Sequence, residues 1–180
     1  MCAGYFFRRG SKILFEYLWT MPNQWTFVIS EVQTILYSIV NKHKRILIPF
    51  AGQFRFPQTL FPKDYTYIDI DKSRPQPCLY GDCIEVMAQR LDGLFDLIIS
   101  DPPFCFYQAI HTYGNKKMQD ISKCKELYDQ LLTPKGQILH FGFNSTGMGQ
   151  KRGYIKEKIW LLNHGGSHSD TIILLETKNN

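Results

Sequence analysis

No C-x-x-C pair occurs in the sequence, and its five cysteines (Cys2, Cys78, Cys83, Cys105, Cys124) are odd in number. Both facts argue against a disulfide framework and a cysteine-type zinc site, and favour a reducing, cytoplasmic setting. No apolar run approaches the ~18 residues of a membrane span. The stretch 13–19 is short and carries Glu16. The basic pair Arg8-Arg9 follows apolar residues without a small-residue cleavage site, so no signal peptide is expected. Repeats and low-complexity segments are also missing. Counts of 13 Gly and 9 Pro are ordinary and remove collagen-like and linker-like chains.

What remains is a globular composition of 180 residues, 44% hydrophobic and 21% charged, with aromatics at 14%. That length matches a single domain over residues 1–180, with residues 1–20 peripheral to it. A formal net charge of +5 tolerates a polyanionic partner without requiring one.

Apolar spacing alternates between helix and strand periods. Ser30 and Gln33 form a capping-box pattern ahead of Val32, Ile35, Leu36, Ile39 and Val40, which share one helical face. Strands are expected at 45–50 (RILIPF), 65–71 (YTYIDID), 77–80, 95–100 (FDLIIS) and 137–143. Asp82 caps a helix over 83–91, and a third helix runs over 120–132 until Thr133-Pro134-Lys135-Gly136 breaks it. Segments 159–163 and 171–177, joined by a short glycine-bearing connection, read as an antiparallel hairpin. The fold class is therefore α/β: a mostly parallel sheet with helices on both faces and an antiparallel C-terminal hairpin. Ligands in such sheets bind at loops leaving the carboxyl ends of the strands.

Three of those loops carry chemistry. Pro49-Phe50-Ala51-Gly52 puts small residues directly after a strand, where Gly52 permits close backbone approach. Asp69 then ends the second strand near the ~20-residue offset at which an acid meets ribose hydroxyls. Asp82 could accept from an adenine amine, and it reads equally well as a helix cap. Most pointed is Asp101-Pro102-Pro103-Phe104, whose two prolines stiffen the exit from an apolar strand. A rigid corner of that kind can direct Asp101 and neighbouring carbonyl oxygens at an NH₂ group, while Phe104 offers a face for a planar ring.

Together these segments resemble the class I S-adenosylmethionine-dependent methyltransferases, which have a Rossmann-like fold. The D-P-P-aromatic corner resembles their amino-group branch, which modifies adenine N6 or cytosine N4. Pro22-Asn23-Gln24-Trp25-Thr26-Phe27, the segment 141–149 and the segment 164–172 resemble a compact archaeal and phage group of DNA adenine methyltransferase-like proteins. The likeness covers residues 19–178. It implies S-adenosylmethionine as cofactor, with Thr26, Phe27, Pro49, Phe50, Ala51, Gly52, Asp69 and Asp82 holding it. It implies Asp101, Pro102, Pro103 and Phe104 at the target amine, and Asn144 and His168 on the substrate side. Nucleic acid would be the partner, DNA ahead of RNA.

Two positions depart from the family pattern: Phe54 replaces the second glycine of F-x-G-x-G, and Ile48 replaces an acidic residue before Pro49-Phe50. The length leaves no room for a separate target-recognition segment. Dimerisation, a partner subunit or a single-stranded substrate would then supply what base flipping needs. Lys116, Lys117, Lys151 and Arg152 could hold phosphates. A ribosomal RNA base methyltransferase and a catalytically degenerate nucleic-acid-binding subunit stay open as alternatives. No metal is expected: His164, His168 and Asp170 suit a tight turn better than a zinc site.

Overall fold

The computed structural model describes residues 2–8, 11–54, 64–73, 78–104, 109–110, 119–166 and 168–179. The strands are β1 (Cys2–Arg8), β2 (Ser11–Trp19), β3 (Arg45–Ile48), β4 (Asp64–Asp69), β5 (Cys78–Tyr80), β6 (Phe95–Ser100), β7 (Leu132–Gly142), β8 (Tyr154–Asn163) and β9 (Thr171–Lys178). All join one sheet in the order β1-β2-β8-β9-β7-β6-β3-β4-β5, and all but β1 and β9 run the same way. The helices are α1 (Ser30–Val40), α2 (Cys83–Arg90) and α3 (Ile121–Leu131).

Alternation along the central strands sorts the core into two layers. Ile46, Ile48, Leu97, Ile99, Leu139 and Phe141 face α1, whose Val32, Leu36 and Val40 are fully buried. Their neighbours Leu47, Ile98 and Ile138 face α2 and α3, meeting Val86, Met87, Cys124 and Tyr128. Strands covered on both faces carry apolar centres, as Ile46-Leu47-Ile48 of β3 and Leu97-Ile98-Ile99 of β6 do. The Asp96 carboxylate accepts the backbone N–H groups of Lys44 (2.8 Å) and Arg45 (2.9 Å), fastening β6 to the start of β3.

The parallel core, the three helices and the antiparallel β8–β9 pair match the sequence reading. Four details differ. Ser30 lies inside α1 and does not cap it; Ile29 is the cap residue, without a side-chain bond. Gln33 instead reaches back to the Phe27 carbonyl. The break expected at 133–136 opens no loop. The chain passes from α3 directly into β7, with Lys135 at φ 63 and a register shift opposite Phe95/Leu97 absorbing the extra residues. Strand β8 begins at Tyr154, earlier than expected, because its alternation of exposed and buried positions hides a strand behind Lys156, Glu157 and Lys158. Finally, residues 2–8 and 11–19 are strands, with β2 parallel to β8. Strands β1 and β2 form a local antiparallel hairpin, and only the pairing of β2 with β8, far along the sequence, brings it into the sheet.

Phe54, standing where the family pattern has glycine, is 1% exposed and turns into the α1-side core. Its ring meets Phe27 edge-on at 4.9 Å. Phe54→Gly should accordingly cost roughly 3–5 kcal/mol by chemical denaturation, the range for emptying a buried aromatic site.

Candidate active site

Strands β4 and β5 lie to one side of β3, and β6 and β7 to the other. The sheet therefore has a switch point between β3 and β6, where a crevice forms at the carboxyl ends. There a cleft opens to solvent, lined by residues from the loops after β3, β4, β5 and β6.

Carboxylates organise its walls. The Asp69 Oδ2 accepts the Gly52 N–H at 2.7 Å and its Oδ1 accepts the Asp71 N–H at 2.8 Å, so one side chain ties the loop after β3 to the loop after β4. Gly52 sits at φ +50, in the left-handed region that favours glycine, and a Cβ there would meet nothing within 4 Å. Asp82 caps α2, its Oδ1 accepting Ile84 N–H at 2.9 Å and Glu85 N–H at 3.4 Å, while Oδ2 accepts from Gln119 Nε2 at 3.0 Å. Asp82 is thus a helix cap that also lines the cleft.

Asp101 leaves β6 at the inner end. Burial lifts its carboxyl to about 7; the Thr26 hydroxyl, donating to it, acts in the opposite direction. Thr26 and Phe27 stand on a short 3-10 turn (Thr26–Val28), and both line the cleft with Phe50, Asp101 and Pro103.

On the far side of the diproline corner lies a second hollow of about 740 Å³, also open to solvent. Pro102, Pro103, Phe104 and Asn144 line it, and the Phe104 and Phe143 rings approach to 4.6 Å between centroids. Pro103 belongs to both cavities and forms the wall they share. The floor of the hollow is polar: Ser100 Oγ and Tyr128 OH lie 3.0 Å apart, with His140 beside them.

The structure thus gathers Thr26, Phe27, Phe50, Gly52, Asp69, Asp82, Asp101 and Pro103 around the cleft, and Pro102, Pro103, Phe104 and Asn144 around the hollow. It leaves three expected residues elsewhere. Pro49 and Ala51 are buried behind the loop and line neither cavity, the Ala51 N–H being spent on the Ile68 carbonyl at 3.0 Å. His168 is exposed on the β8–β9 connection and also lines neither. In that connection Asp170 accepts from Asn163 Nδ2, and His164 Nε2 lies 3.0 Å from Thr171 Oγ1. No cluster of metal-binding side chains occurs among the described residues. Lys151 and Arg152 stand on a short 3-10 turn (Gln150–Arg152); Lys116, Lys117 and Cys105 lie outside the described residues. Ile48 is wholly buried in the core. Sequence reasoning missed Gln119, Tyr128, His140 and Phe143. A polar His140 on a strand face otherwise carrying Ile138 was the one available signal.

No protein-family model and no curated protein matches the chain. Solved structures do resemble it. TrmN from Thermus thermophilus superposes with a TM-score of 0.57 at 15% identity over 83% of this chain, which spans 49% of that one. A 1,6-didemethyltoxoflavin-N1-methyltransferase from Burkholderia thailandensis, bound to 1,6-didemethyltoxoflavin and S-adenosylhomocysteine, gives 0.57 at 12% identity, over 84% of this chain and 78% of that one. The N-methyltransferase NodS from Bradyrhizobium japonicum, in complex with S-adenosylhomocysteine, gives 0.56 at 12% identity, over 83% and 87%. The chain has the Rossmann-like fold of the class I S-adenosylmethionine-dependent methyltransferases.

The Asp101 carboxyl makes a prediction about stability. Its folded value of about 7 exceeds the unfolded value of 3.8, so the native state keeps a proton that the unfolded chain has lost. Its contribution is fully present below 3.8 and is lost as pH rises through 7. Asp101→Asn should be more stable than the parent at pH 8 by up to about 4 kcal/mol, with the gap closing toward pH 4 in parallel denaturation curves.

Proposed function

We propose that this protein transfers a methyl group from S-adenosylmethionine to the exocyclic amine of a nucleobase, adenine N6 in DNA being the assigned target. The observation that carries this reading is the diproline corner: one rigid wall, Pro103, separates a carboxylate-lined cleft from an aromatic-lined hollow. The fold's N-methyltransferase neighbours support a nitrogen acceptor.

The cleft residues fit the cofactor. Asp69 would take the ribose diol, since an ionised carboxylate offers about four acceptor sites. Gly52 leaves open space beside it. Asp82 would take the adenine amine, with Ile70 and Cys83 as apolar neighbours in the cleft wall. Thr26 and Phe27 would flank the methionine end. Bound there, S-adenosylmethionine supplies a methyl group already activated by its positive sulfur.

An aromatic amine is a poor nucleophile because its lone pair is delocalised. Acceptors on its hydrogens draw it toward tetrahedral geometry and free the lone pair. Asp101 is the stronger acceptor when ionised, so its raised value of about 7 favours turnover at higher pH. The backbone oxygens of the corner add further acceptors in fixed positions, and Phe104 with Phe143 holds the ring plane. No covalent enzyme intermediate is required; positioning and exclusion of water do the work. Nucleic acid as partner draws support from the net charge of +5 and from Lys151 and Arg152. The free thiols of Cys83 and Cys124, 3.8 Å apart, accord with a cytoplasmic setting.

Methyl-labelled S-adenosylmethionine, incubated with separate single-stranded DNA and RNA pools and followed by nucleoside mass spectrometry, tests the reading. N6-methyldeoxyadenosine is expected, with kcat rising as pH passes about 7. Asp101→Ala should lower kcat by about 10²–10³-fold, the range for losing one transition-state hydrogen-bond partner, with little change in cofactor Kd. No calorimetric binding at millimolar S-adenosylmethionine, or full turnover by the Asp101→Ala variant, would overturn it.

A further inference from the structure

Under the hollow lies a polar pair that the chemistry above leaves unused. His140 on β7 pairs across the ladder with Leu174, and Ile138 with Glu176, so His140 and Glu176 are diagonal neighbours on one face of the β7–β9 ribbon. Glu176 is 0% exposed. Its Oε2 accepts the Met148 backbone N–H at 2.6 Å, and its Oε1 has no hydrogen-bond partner within ordinary bonding distance among the described residues. His140 Nε2 stands 3.6 Å from the same Oε2 and is likewise buried without a partner.

Leaving a buried polar group unsatisfied costs about 1–3 kcal/mol, and an apolar side chain at either strand position would avoid that cost. Lys125, which also lines the hollow, and Lys156 act on both groups. Burial and those two cations hold the imidazole neutral, with its value down to about 3. A neutral imidazole has one N–H and one lone pair. With Nε2 facing Glu176 at 3.6 Å, an Nε2–H tautomer would leave Nδ1 to offer its lone pair.

We propose that His140, oriented by Glu176, is an acceptor-binding residue whose Nδ1 takes a hydrogen bond from an N–H on the edge of the planar substrate in the hollow. This rests on the preceding reading that the hollow receives an aromatic amine. A lone pair at that position favours base edges that display N–H, as adenine N6 and cytosine N4 do, and disfavours the carbonyl edges of thymine O4 and guanine O6. His140 would thereby sort bases before transfer, on the side of the corner opposite the cofactor cleft.

The test uses the full chain with ¹⁵N-labelled histidine, saturated with S-adenosylhomocysteine. Ring-nitrogen resonances of His140 are followed as deoxyadenosine, deoxycytidine and thymidine are added separately. The expected result is an Nε2–H tautomer that stays neutral from pH 8 to 5, with an Nδ1 resonance that moves with deoxyadenosine or deoxycytidine and not with thymidine. His140→Phe should keep the S-adenosylhomocysteine Kd and lose about tenfold in affinity for the responding nucleoside, the scale of one neutral hydrogen bond. A structural role for the pair would lower stability without moving Nδ1. An Nδ1 resonance unmoved by either amino nucleoside, or moved equally by thymidine, overturns the proposal; this wild-type titration decides even should His140→Phe fail to fold. Absence of S-adenosylhomocysteine binding sinks the methyltransferase reading separately. In that event the Nδ1 response, recorded without S-adenosylhomocysteine, still decides the role of His140.

Discussion

At the inner end of the site the Thr26 hydroxyl interacts with the desolvated Asp101 carboxyl, where the segment before α1 meets the exit from β6. Asp101 emerges from the most deeply buried strand and is followed by two prolines, so its backbone has little freedom. Thr26 belongs to the segment preceding α1, and is positioned from the other direction. Its neighbour Phe27 is 3% exposed, edge-on to both Phe54 and Phe141, and the Phe27 carbonyl receives the Gln33 side chain from α1. A core aromatic thus anchors a turn, the turn carries a hydroxyl, and the hydroxyl steadies the carboxyl at the cavity wall. Phe54 fills the core contact that fixes this chain of support. A glycine there would add freedom to the loop after β3 and remove a wall of the Phe27 socket.

The same economy governs the other acids. Asp69 and Asp82 each perform a structural task, loop joining and helix capping, with oxygens that also face the cleft. Carboxylates allow this because each oxygen carries two lone pairs and a backbone N–H occupies one. The structural bonds also orient the carboxylates, so a ligand meets acceptors already fixed in direction. Preorganised acceptors lose little entropy on binding.

Legibility in the sequence tracked the range of the interactions. The parallel core was readable because β3 and β6 are apolar runs between turn residues, and the corner because proline acts on its immediate neighbours. Asp69 and Asp82 were readable from their places at strand ends. The place of β1 and β2 was not, since their hairpin joins the sheet through the pairing of β2 with β8, far along the chain. Pro49 and Ala51 were assigned to the cleft by adjacency, although the pleat turns them behind the loop. His168 was chosen for its chemistry, and its loop keeps it outside both cavities. His140 and Glu176 escaped notice because a lone polar residue in a strand reads as solvent-facing. Only the ladder register shows the two on one buried face.

Charge is divided across the corner in the way the two cavities require. Asp69, Asp71, Asp82 and Asp101 all line the cleft, whereas Lys125 lines the hollow, with Lys156 acting on the same His140–Glu176 pair. In a low-dielectric crevice such grouping generates a field that selects ligands by sign. A sulfonium cation and its ammonium suit the acid-lined side; a base attached to phosphates suits the other. The neutral diproline wall between them matters as much as the charges. A polar side chain at Pro103 would bridge the two fields and bring solvent into the wall between the two cavities. Stiffness, apolarity and the absence of a backbone N–H therefore belong together at that position, and proline is the residue that combines them.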